Sequence, residues 1–110
     1  MKIKVTAILT DWDGEELTYQ KTDGEQPIPL TLREVCKNAL RTSLPGEQMG
    51  WAEKCDLWAL GARIHDNDEP NLTAEEISML KERIGKIYTP VVVGPAIIML
   101  DPTKDSKHEK

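Results

Sequence analysis

Residues 47–65, EQMGWAEKCDLWALGARIH, constrain this chain more than any other stretch. Wound at roughly 100° per residue, they place Trp51, Cys55, Trp58 and Ala62 on one narrow apolar stripe. Leu57, Leu60 and Ile64 form a second stripe on nearly the opposite side. Thin polar seams run between them, Glu47, Lys54 and His65 on one edge, Asp56 and Arg63 on the other. A helix that is apolar on two sides needs neighbours on two sides. Two of the three tryptophans lie on the first stripe, and an indole can bury more apolar area than any other side chain here. The pattern predicts a central helix over 47–65, with the rest of the chain wrapped around it.

A chain of 110 residues makes one domain, expected over 1–102. Phenylalanine is absent, so the core must come from Ile, Leu, Val, Ala, Met and tryptophan. The formal charge of −5 opposes nucleic-acid binding, which needs a basic surface against phosphate. Cys36 and Cys55 fall on expected buried faces with no CxxC spacing, which favours free thiols in a reducing compartment. The start MKIKVTAILTDWD alternates and then turns acidic, unlike a signal peptide, and the apolar run 91–100 is too short to span a bilayer. The expected location is cytoplasmic.

Residues 2–10 alternate, with Ile3, Val5, Ala7 and Leu9 on one face, as a half-buried strand does. Asp13-Gly14 marks a turn. A two-residue turn would set Leu9 opposite Thr18 and put Leu17 and Tyr19 on the wrong face. A three-residue Trp12-Asp13-Gly14 loop with a glycine bulge sets Leu9 against Leu17 and Ala7 against Tyr19, which keeps the apolar face continuous. Thr22-Asp23-Gly24 repeats the turn chemistry, and Pro27 and Pro29 make residues 25–30 an edge strand or no strand at all. Thr31-Leu32-Arg33-Glu34 is a capping box that opens a helix with core residues Leu32, Val35, Cys36, Ala39 and Leu40. A second box, Thr73-Ala74-Glu75-Glu76, opens a helix that buries Ile77, Leu80, Ile84 and Ile87 and stops before Pro90. Residues 91–100 read either as a helix with Pro90 at its first position and a kink at Pro95, or as an extended 91–93 followed by a short helix from Pro95, and the pattern favours the helix. Residues 103–110 carry no apolar side chain and are expected to be a disordered tail. The fold class is α+β: an N-terminal β-hairpin packed on three longer helices and a short C-terminal one.

The hairpin tip Asp11-Trp12-Asp13-Gly14-Glu15-Glu16 sets one indole among four carboxylates. Either Trp12 folds back as a lid on the core, or it is an exposed anchor with an acidic rim suited to a basic protein partner. A cation held by these acids is the weaker option, and no metal or cofactor is expected. The stripe Leu57, Leu60 and Ile64 needs cover from the chain itself, from a partner or from a second copy in a homodimer. The loop 66–76 mimics a calcium loop without fitting one. Fixing Glu76 as the last ligand puts His65 first and Pro70 where glycine must be, while fixing Asp66 first puts Ile77 last. Nothing pairs a nucleophile with a base at a recognisable spacing, and the glycines form no phosphate loop. An enzyme is not expected. Lys81, Arg83 and Lys86 are the residues that would touch phosphates in a nucleic-acid-binding regulator, but Glu75, Glu76 and Glu82 accompany them.

The order DWDGEEL, PLTLREVCKNAL, LTAEEISMLKERIGKIY and TPVVVGPAIIMLD resembles a family of small uncharacterised proteins of tailed bacteriophages and prophages. The resemblance covers most of 1–102 and carries no functional residues with it. It implies a phage product acting in the host bacterial cytoplasm or in virion assembly. The expected function is a non-enzymatic protein-binding module that modulates a host or phage protein; an assembly factor such as a tail chaperone or connector component is the alternative.

Overall fold

The computed structural model describes residues 1–20 and 23–101, so the expected tail 103–110 and Thr22 of the second turn lie outside the described residues. The described chain is α+β. A two-stranded antiparallel pair, β1 (Thr18–Tyr19) and β2 (Ile28–Pro29), precedes four helices: α1 (Leu32–Arg41), α2 (Trp51–Asp66), α3 (Ala74–Ile87) and α4 (Pro90–Leu100). At 11 residues α4 is one longer than α1, so it is not the short member of the set.

The turn at 11–15 has the expected register. Thr10 bridges Glu16, the Leu17 N–H donates to the Leu9 carbonyl at 2.9 Å, and Gly14 takes φ +83°, the left-handed geometry a glycine bulge requires. Beyond the turn the expectation fails. Tyr19 pairs with Ile28 rather than Ala7. The N-terminal segment turns instead to α1, where the Leu32 and Arg33 N–H groups donate to the Ala7 and Val5 carbonyls at 2.9 and 2.8 Å. These are orphan donors of a helix's first turn, and burying them unpaired costs more than a lost sheet rung. The Ile3 and Val5 N–H groups in turn reach the Pro70 and Asp68 carbonyls. The alternation survives as burial, with Ile3, Val5 and Leu9 all inside. Leu9, Leu17 and Leu30 close a ring of backbone bonds: Leu9 N–H to Leu30, Leu30 N–H to Leu17, Leu17 N–H to Leu9, at 2.7–2.9 Å.

The scaffold helix is α1, not the expected 47–65 segment. It packs against α2, α3 and α4, and Leu32, Val35, Cys36, Ala39 and Leu40 are buried along it. Residues 47–50 are outside α2. That helix rests on α1 through Leu60 and Ile64, at 3% and 0% exposure, with Leu57 half-buried. The second stripe is therefore covered by the chain itself, the first of the three covers open to it, so Leu60 and Ile64 are not available as a partner or homodimer interface. The first stripe faces water: Trp51 is 81% and Trp58 77% exposed, and Cys55 is exposed too. On α3 both halves of the capping box form, with Glu76 N–H on Thr73 Oγ1 at 3.1 Å and Thr73 N–H on Glu76 Oε1 at 2.9 Å. On α1 Thr31 Oγ1 accepts from Glu34 N–H, while the Glu34 carboxylate lies near Lys37 and Arg41. The expected helix over 90–100 forms, with Pro90 at its start and Val92, Ala96 and Leu100 buried one turn apart.

Candidate functional site

The hairpin tip is ordered by one carboxylate. Asp11 Oδ1 accepts from the Asp13 and Glu15 N–H groups at 2.8 and 3.0 Å, and its carbonyl accepts from Gly14. This Asx arrangement, with Gly14 left-handed, turns residues 12–14 away from the body of the protein. Trp12 is 88% exposed, so it is no lid on the core. Asp13, Glu15 and Glu16 are exposed around it, while Asp11 is half-buried. Carboxylate oxygens of Asp11, Asp13 and Glu15 lie within 4.8 Å of one another. Asp11 thus positions the tip, and the other three acids supply its negative rim.

The second exposed aromatic surface was read from the sequence as interior. Periodicity shows that α2 has two apolar faces, but nothing local says which one α1 covers. Beside Trp58 a cleft of about 1010 Å³ opens between α2, the end of α1 and the 42–49 connection. Lys37, Arg41, Lys54 and His65 line it. Lys37 Nζ stands 2.9 Å from His65 Nδ1, which ties the start of the cleft on α1 to the end of α2. A smaller cleft of about 650 Å³ lies between α2 and α3, with Leu57, Leu60 and Met79 in its walls.

Three arginines hold these elements in place. Arg33 reaches from α1 to the end of α2, donating to the Ile64 and Asn67 carbonyls and to Asp68. Arg63 of α2 grips both oxygens of Glu76 at 2.7 and 3.2 Å and also donates to the Asn71 carbonyl. The Arg63 bonds are the main cause holding the Glu76 carboxyl below its ordinary value. Arg83, only 5% exposed, donates to the Ala39 and Thr42 carbonyls at 2.8 and 2.6 Å. These carbonyls belong to the open end of α1, where a cation is favoured by both hydrogen bonding and the helix dipole. Of the three cations read as phosphate contacts, Arg83 is buried in this role, Lys81 pairs with Asp101 at 3.0 Å, and Lys86 lies 3.9 Å from Glu82. The buried role of Arg83 was not legible, because a cation on a periodic helix reads as solvated.

The two thiols differ sharply. Cys36 is fully buried on α1, and burial pushes its pKa up to about 12, which keeps it protonated and unreactive. Cys55 stands exposed on α2. Among the described residues no helix is long and apolar enough to cross a membrane. Comparison of the chain with protein-family models, curated proteins and solved structures gives no match.

Proposed function

We propose that this protein is a non-catalytic binding module that grips a protein partner with its hairpin tip. The observation that carries the reading is the 88% exposure of Trp12 on a turn rimmed by Asp13, Glu15 and Glu16. An indole left in water forgoes roughly 3–5 kcal/mol of transfer free energy, which a partner's pocket would recover. Tryptophan is among the residue types enriched where a few side chains dominate interface energetics. The carboxylate rim sets the partner's chemistry: a basic surface around an apolar pocket, approached faster at low salt. The resemblance to small phage products suggests that this partner is a host or phage protein in a bacterial cytoplasm.

The test is affinity capture from cells that contain the partner, run with the wild-type chain, Trp12→Ala and the Asp13→Asn/Glu15→Gln/Glu16→Gln variant, and read by quantitative mass spectrometry. A protein retained by the wild type, lost by Trp12→Ala and weakened by salt and by the neutral variant is expected. Retention that ignores both variants would refute the reading.

A further inference from the structure

We propose that the outward face of α2 is a twofold interface between two copies of this chain, paired antiparallel. Trp51, Cys55, Trp58 and Ala62 recur at four- and three-residue intervals, the spacing of a helix–helix seam. Trp51, Cys55 and Trp58 face solvent on the side opposite Leu60 and Ile64, with Ala62 half-buried, and nothing within the described chain covers the two indoles. No charged residue interrupts the stripe, and Ala52 and Ala59 beside it are small enough to let a second helix approach closely.

The occupant follows from the order of sizes. Along the stripe the side chains run large, small, large, small. Both the outer pair (51 and 62) and the inner pair (55 and 58) share one midpoint, between Asp56 and Leu57. A second α2 laid antiparallel about a twofold axis there sets each Trp51 against Ala62 and each Trp58 against Cys55 of the other copy. Every indole then meets a small side chain, the alternation that lets facing layers interdigitate. A parallel pair would stack indole on indole and leave gaps at the cysteine and alanine layers.

Charge agrees with this orientation. Antiparallel pairing sets opposite helix dipoles side by side. In area, four indoles at this exposure contribute roughly 500–800 Å², and the small side chains between them carry the total towards the ~1,200 Å² at which stable interfaces begin. The pairing is a reversible, concentration-dependent dimer, and it uses none of the hairpin-tip residues.

Sedimentation of the full chain across the micromolar range tests this, with circular dichroism to check the fold of each variant. The wild type should be dimeric at about 200 µM, and Trp51→Ala or Trp58→Ala should each raise the dissociation constant at least about tenfold. Cys55→Trp, which drives indole against indole, should also dissociate the dimer. The double variant Cys55→Trp/Trp58→Ala exchanges large for small across the axis and should restore pairing. A wild type that stays monomeric, or a dimer indifferent to Trp51→Ala and Trp58→Ala, overturns the proposal. Failure of the double variant to pair overturns the antiparallel register. Loss of pairing leaves capture through Trp12 intact, so the two proposals fail separately.

Discussion

Arg83 on α3 holds Glu47 in the α1–α2 connection through both terminal nitrogens, Nη1 to Oε2 at 2.6 Å and Nη2 to Oε1 at 3.4 Å. The same guanidinium closes the end of α1 by donating to Ala39 and Thr42. Glu47 Oε1 accepts a further bond from the Leu44 N–H at 3.2 Å. One buried side chain thus fixes where α1 stops and where the chain leaves for α2. The exposed face of α2 inherits its position from this contact.

Arg83→Met should keep the volume and lose the donors. It strands two carbonyls near the core, and we expect roughly 2–4 kcal/mol of destabilisation in urea unfolding. Arg83→Lys should recover only part of this, because an ammonium group cannot span the helix end and Glu47 in the planar fork of a guanidinium. A loss below about 0.5 kcal/mol for Arg83→Met would show that the contact is incidental.

Acid should unfold the protein through Glu47 and Glu76. The Arg83 bond, then the Leu44 N–H, hold the Glu47 carboxyl below its ordinary value of 4.5, and Arg63 does the same for Glu76. A carboxyl depressed in the folded state binds fewer protons than in the unfolded chain. Its contribution is complete above the unfolded pKa near 4.5 and is lost as pH falls through the lower folded value. Melting temperature should therefore be flat just above this range and drop below it. In Glu47→Gln the drop should be shallower, with a lower plateau. An acid limb identical to wild type would assign the effect to other groups.

The cysteines should separate under alkylation. At a concentration low enough to keep the chain monomeric, Cys55 should react with iodoacetamide in the native protein at mildly alkaline pH, and Cys36 only after denaturation. Mass spectrometry of timed samples reads this directly. Native labelling of Cys36 at a rate like that of Cys55 would mean that α1 opens readily.

Trp12→Ala should shift unfolding by no more than about 0.5 kcal/mol, as expected for a side chain almost wholly in water. Leu32→Ala, at a fully buried position on α1, should cost roughly 2–5 kcal/mol. Comparable losses from the two would place the indole in the core instead.

What could be read from the chain alone lies within a few residues of itself. The α3 capping box joins Thr73 to Glu76, the turn at Gly14 sets the Leu9–Leu17 register, and Pro90 begins α4; each is a contact between near neighbours in sequence, or a property of one residue. The α+β class and the apolar stripes of α1, α2 and α3 followed from the same local rules. Tertiary structure decided which face of α2 turns inward. Periodicity distinguishes apolar from polar but is blind between two apolar faces. The choice went to the aliphatic face lying against α1, beside which Gly61 leaves Leu40 an approach of 3.7 Å to the place a Cβ would occupy. The N-terminal segment likewise left its expected partner for the open N–H groups of α1, and Arg83 left solvent for the carbonyls at that helix's other end. A helix end must satisfy its backbone groups with whatever the fold brings near, and no pattern along the chain states what that will be.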